Sequence, residues 1–214
     1  LIAESLEKLN FEVLKYTNLE TEKEMEAAIK DFGLKRKNYE IAFIYYAGHA
    51  IQIDNKNFLL PTMEEYNDQY DLKQNAVSLQ TILQFLEYAR DEQLNFLVLD
   101  ACRDNRYEQR ISLSRSGSGG SGLAKVSPPS GSLIAFSTNA GETADDNQDG
   151  DNSIYTQVLA EKMLEENVSI EQVFKNVRTD VQMITKDMGR YQSPVEENKL
   201  VGDVFYLNPT NVEE

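Results

Sequence analysis

Apolar residues follow two rhythms that alternate along the chain. Where they recur every three or four positions they predict helices, and where they run unbroken they predict strands covered on both faces. "TEKEMEAAIKDF" (21–32) opens with Thr21 and Glu24 in capping-box spacing and sets Met25, Ile29 and Phe32 on one helical face. "EIAFIYYAG" (40–48) is continuous, aromatic and β-branched, the pattern of a buried strand. "NFLLP" (57–61) is a short extended piece stopped by Pro61. "SLQTILQFLEYARDE" (78–92) is an amphipathic helix with Ser78 at its N-cap and Ile82, Leu83, Leu86 and Ala89 facing inward. "NFLVLDA" (95–101) and "GSLIAFST" (131–138) are two more buried strands. Helices follow at 153–167, starting near Ser153, and at 169–187, where Ser169 and Gln172 form a second capping box. "DVFYL" (203–207) reads as a closing strand. The chain opens on "LIAESLEKLNFEVLKYTN" (1–18), a helix followed by a strand. A sheet of this kind starts with a strand before such a helix, so a first strand is expected upstream of Leu1.

This alternation predicts an α/β fold, a three-layer sandwich with a mostly parallel central sheet and helices on both faces. Two stretches break the rhythm. Residues 103–131 are long, basic and rich in Ser, Gly and Pro, and their centre, "SGSGGSG", has the composition of an inserted flexible linker. Residues 144–152, "ADDNQDGDN", form an acidic loop. In that loop Asp145, Asn147, Asp149 and Gly150 match the opening of a calcium-binding loop, but Thr156 stands where its closing Glu belongs. A solvated acidic turn is therefore the default, and calcium is the one cofactor the sequence admits.

Composition narrows the function. With 214 residues, 41% of them hydrophobic, the chain has enough material for one domain, 1–214. No apolar run reaches the length of about 18 residues that a membrane span needs. A net charge of -15 argues against nucleic-acid binding, which needs basic surface to meet phosphate. The single cysteine excludes an internal disulfide and suits a reducing, cytoplasmic setting.

The candidate chemistry lies at the strand tips. His49, the only histidine, and Cys102, the only cysteine, each end an apolar run. Active sites of open α/β sheets form at the carboxyl ends of strands. On neighbouring strands these two residues can converge, with the imidazole activating the thiol as a nucleophile. Taken singly, a buried Cys is a small hydrophobe and a lone His a structural hydrogen-bonder; together, at matched positions, they point to catalysis.

"YYAGHA" followed about fifty residues later by "DACRD" resembles the caspase-like cysteine peptidases: caspases, metacaspases and bacterial orthocaspases. "NFLLP", "GSLIAFSTNAGETADD", "NSIYTQVL" and "YQSPVEENKLVGDVFYL" extend that resemblance over nearly the whole chain. It implies a large-subunit-like part (1–110), a loop (111–130) and a small-subunit-like part (131–214). It implies His49 as general base and acid and Cys102 as nucleophile. The backbone N–H groups of Cys102 and Ala50 would hold the oxyanion, with Ala50 standing where the family usually has Gly. Asp100, two residues before the nucleophile, together with Asp146, Asp145 and Ser137, would line a pocket for a substrate Arg, and less well Lys. The rival role for Asp100 is to cap local backbone N–H groups. The implied partners are peptide or protein substrates and a sensor or activator protein. Arg103, Arg106, Arg110, Arg115 and Lys125 make self-cleavage of the loop an expectation for a zymogen, against the plainer reading that they offset an acidic surface. An acidic pocket suits a monomer. A catalytically inactive scaffold, or another Cys/His hydrolase or transferase on an α/β sheet, stays open at this stage.

Overall fold

The computed structural model describes residues 1–62, 65–87, 93–103, 123–139 and 152–210, and of residues 102 and 103 the backbone alone. Its centre is a six-stranded sheet in the order β3-β2-β1-β4-β5-β6. The strands are β1 (Ile41–Ile53), β2 (Lys56–Leu59), β3 (Val77–Ser78), β4 (Leu94–Arg103), β5 (Ser132–Phe136) and β6 (Val195–Lys199). β1, β4 and β5 run parallel and form the middle, and antiparallel strands flank them on both sides. The helices are α1 (Ile2–Lys8), α2 (Glu22–Lys35), α3 (Gln69–Asn75), α4 (Leu79–Glu87), α5 (Ile154–Lys162) and α6 (Ile170–Asp187).

Strand alternation sorts the core into two layers. Phe96, Val98, Leu133 and Ala135 face α1, α5 and α6, in a cluster with Ile2, Leu6, Leu159 and Val177. Leu97, Leu99, Ile134 and Phe136 face the other way, towards Met25 of α2 and Ile82, Leu83 and Leu86 of α4. Helices on both faces of a parallel centre are what the two rhythms predicted.

The expected caps form. Thr21 and Glu24 make a complete capping box on α2, and Ser153 accepts from the Thr156 N–H at the head of α5. Ser169 accepts from the Gln172 N–H, but the Gln172 amide turns to Asn176, so only half of that box exists.

Three local readings change. Residues 11–18, read as a strand, join no sheet. "DVFYL" supplies only an isolated bridge between Tyr206 and Ser169, and the sheet ends instead on β6, "VEENK". A polar edge strand carries no apolar run to announce it. Finally, β1 does not stop at His49. It continues to Ile53 and turns back into β2 through Asp54 and Asn55, both at positive φ (50° and 59°). That is a two-residue hairpin loop, whose twist suits the flanking strands. Among the described residues no helix is long and apolar enough to cross a membrane.

Candidate functional site

The parallel register of β1 and β4 places Ala47 opposite Asp100, His49 opposite Cys102 and Ala50 opposite Arg103. Neighbouring strands lie about 4.8 Å apart, so the sole histidine and the sole cysteine are backbone neighbours at the carboxyl end of the sheet. Both lie inside their strands rather than just beyond them. Around His49 β1 changes partner: pairing with β4 ends at Ala50, where pairing with β2 through Leu59 begins.

Two donors pin the backbone at His49. The Tyr46 hydroxyl donates to the His49 carbonyl at 2.7 Å, and the Leu60 N–H donates to it at 2.9 Å. The same tyrosine explains Gly48. A Cβ there would sit 2.7 Å from the Tyr46 Oη, closer than such contacts allow. Burial pushes the Tyr46 phenol well above its usual range, so it stays a neutral donor. The His49 side chain is exposed, and Ala50 is fully buried between its two neighbouring strands.

Asp100 is 6% exposed, on the α5 face of β4. Its carboxylate accepts hydrogen bonds from the Ser153 and Thr156 hydroxyls at the head of α5, both to Oδ2. Ser153 Oγ at the same time accepts from the Thr156 N–H at 3.0 Å. The Tyr45 hydroxyl bonds to Thr156 Oγ1, and burial, reinforced by the Asp100 charge, raises the Tyr45 phenol. Asp100 therefore ties strand β4 to a helix more than fifty residues further on. Among the described residues the donors to this carboxylate are side-chain hydroxyls.

Ser137 follows β5 directly. Its N–H donates to the Leu99 carbonyl at 3.0 Å, and its own carbonyl accepts from the Gln192 amide at 2.8 Å. Its hydroxyl is buried without a hydrogen-bond partner, and so is the hydroxyl of Tyr155, raised by burial and then by the Asp100 charge. Asp145, Asp146 and the calcium-like loop lie outside the described residues, as do Arg106, Arg110 and Arg115. Lys125 is described and pairs with Glu197 at 3.1 Å. Among the described residues no three His, Cys, Asp or Glu groups gather as a metal site would require.

The sequence reading gave no site role to Tyr46, which bonds the His49 carbonyl, to Thr156 and Tyr45, which hold Asp100, or to Tyr155, which feels the Asp100 charge. Tyr45 and Tyr46 were hidden in an apolar run, and Thr156 in a helix whose start was recognised only as a cap.

Comparison with known proteins places this arrangement. A family model described as the caspase domain matches residues 1–206. The human mucosa-associated lymphoid tissue lymphoma translocation protein 1 (Homo sapiens) is 25% identical over 188 residues, 86% of this chain and 20% of that protein. Its mouse homologue (Mus musculus) matches over the same share. The chain thus spans about a fifth of the length of these curated relatives. A solved structure of pro-sf-caspase-1 aligns over 99% of this chain and 82% of its own, with a TM-score of 0.64 at 16% identity, a likeness of fold.

Proposed function

Since this chain belongs to the caspase-domain family of cysteine peptidases, we propose that His49 and Cys102 are its catalytic dyad and that it cuts after Arg, and less well after Lys. The observation that supports the dyad is the register of β1 on β4, which sets the two residues side by side. The Cys102 thiol gives its proton to the His49 imidazole, and the thiolate attacks the scissile carbonyl carbon. The resulting oxyanion is held by the backbone N–H groups of Ala50 and Cys102. His49 then returns the proton to the leaving amine, and water hydrolyses the thioester.

Specificity for a basic residue rests on Asp100, held by Ser153 and Thr156. Asp145 and Asp146 would add charge from the neighbouring loop, with Ser137 lining the pocket. The chain would act as a monomer, released by self-cleavage in the basic loop or by a sensor protein, with calcium as an optional activator.

The test is cleavage of matched fluorogenic peptides ending in Arg, Lys or Asp, with and without calcium. Arg cleavage that is lost in Cys102→Ala, and falls at least tenfold in Asp100→Asn, is the expected result. Asp cleavage would keep the dyad and overturn the pocket. No cleavage, with no labelling of Cys102 by a thiol-reactive peptide ending in Arg, would leave a scaffold.

A further inference from the structure

Buried polar atoms are nearly always paired, so those that are not ask for a reason. Among the described residues four buried side-chain atoms have no hydrogen-bond partner: Arg36 Nε, Arg178 Nε, Ser137 Oγ and Tyr155 Oη. The two guanidinium atoms belong to groups anchored through their other nitrogens, Arg36 to Phe85 and Asn95, and Arg178 to Glu196. The two hydroxyls have no second side-chain polar atom to anchor them. Ser137 and Tyr155 are each 1% exposed.

Both hydroxyls belong to the surroundings of Asp100. β4 and β5 stay in register up to Leu99 and Phe136, and the Ser137 N–H continues the ladder onto the Leu99 carbonyl at 3.0 Å. Ser137 is therefore the strand neighbour of Asp100, with about 4.8 Å between the strands. The alternation that puts Val98 and Ala135 on the α5 face puts Asp100 and Ser137 there as well. Tyr155 comes down from the helix on that face. It directly precedes Thr156, which bonds Asp100, and its ring is buried in the cluster that holds Val98 and Ala135. Burial raises its phenol most, followed by the charge of Asp100 and then by Tyr45 and Glu196. It stays a neutral hydroxyl in the field of that carboxylate.

The backbone around Ser137 is held firmly. The buried Gln192 amide donates to its carbonyl at 2.8 Å, and the Gln192 N–H donates to Thr185 Oγ1 at 3.2 Å. The Ser137 hydroxyl is thus fixed beside Asp100 while lacking a partner of its own. A carboxylate with two unpartnered neutral oxygens in its surroundings suits a group rich in donors. A guanidinium spreads its N–H groups in a plane and pairs only some of them with a carboxylate, whereas an ammonium is a compact point charge.

We infer that Ser137 Oγ and Tyr155 Oη accept the guanidinium N–H groups that Asp100 leaves over, and that these two hydroxyls set the preference for Arg above Lys. The inference rests on the proposed role of Asp100 and adds Tyr155 to the residues that read the substrate. An unpaired buried hydroxyl is unfavourable, so each is a weak point of the free chain that gains its partner when substrate binds.

Tyr155→Phe and Ser137→Ala remove the hydroxyls one at a time. Each variant of the 214-residue chain is assayed with matched fluorogenic peptides ending in Arg or Lys. Active sites are counted by labelling Cys102 with a thiol-reactive peptide ending in Arg, so that misfolded protein does not count as lost rate. The expected result is a fall of about five- to tenfold in kcat/KM for Arg in each variant, carried by KM. Lys cleavage falls less, so the Arg-to-Lys ratio drops by roughly threefold or more. The urea midpoint of the free chain holds or rises, because an unpaired hydroxyl has gone. A midpoint that drops overturns the inference, since the hydroxyl then has a partner in the free chain. Arg cleavage with an unchanged ratio in either variant overturns this inference alone. No Arg cleavage by the unaltered chain overturns the pocket reading and this inference with it.

Discussion

At the residue scale the site depends on small groups fixed by hydrogen bonds. Gly48 is required because Tyr46 crosses over it to reach the His49 carbonyl. Gly48→Ala forces that ring aside and breaks its bonds to the His49 and Leu60 carbonyls. Urea unfolding should show a loss of about 1–3 kcal/mol, and peptide cleavage should fall with it because the His49 backbone is freed. Glu196 offers a pH test. Burial raises its carboxyl above the usual range, although Arg178 pulls the other way. A group whose folded pKa is raised stabilises most when protonated. Its contribution is full below the ordinary glutamate range and disappears as pH rises through the raised value. Glu196→Gln keeps a partner for Arg178 and should flatten that slope, read as Tm against pH from about 4 to 7.

At the element scale the hairpin between β1 and β2 is the local device that carries β1 past His49. Asp54 and Asn55 both hold positive φ, which Asn and Asp tolerate and Gly adopts freely. Asn55→Gly should raise stability by about 0.5–1 kcal/mol, measured as a higher urea midpoint with unchanged m, and leave cleavage intact. The same stretch shows how far the sequence could be read. The buried strands around His49 and Cys102 were legible because their apolar runs leave no other placement, and Thr21 and Ser153 announced their helices by cap chemistry. β6 was not legible, since "VEENK" earns its place through pairing with β5 rather than through its own hydrophobicity. Residues 11–18 read as a strand because they carry the residues of one, Val13, Leu14 and Tyr16, but a strand needs a neighbour. The contact of Asp100 with Ser153 and Thr156 was equally beyond reach, because local pattern says nothing of which helix start meets which strand end.

At the scale of the whole molecule, charge and core divide the work. Among the described carboxylates Asp100 is the buried one, and the amino end of the sheet is pinned from within by a cation. There the buried Arg36 guanidinium donates to the Phe85 carbonyl and to Asn95, whose amide donates to Ser132 on β5. Burial lowers the Arg36 pKa, and its hydrogen bonds stand in for lost water. The carboxyl end is pinned by Asp100 in the same manner. Each pole of the molecule thus joins its earlier half to its later half.

The pairing of β4 with β5 carries a consequence of its own. These strands are consecutive in the sheet, yet residues 104–131 separate them in sequence. Among the described residues the ties across that separation are side to side; they include five register pairs, the Asp100 hydroxyl bonds, the Tyr45–Thr156 bond, the Asn95 amide, the Asn57 amide on the Ala124 backbone, and the Ser5 bond to Ala160. Continuity of the backbone between the halves is therefore dispensable once they have met. Residues 1–103 and 123–214, expressed as two separate polypeptides, should reassociate into one species that elutes as a single peak in native size-exclusion chromatography and resolves into two bands in denaturing gels. Two pieces that elute apart would show that the covalent link, and not the sheet, holds the molecule together.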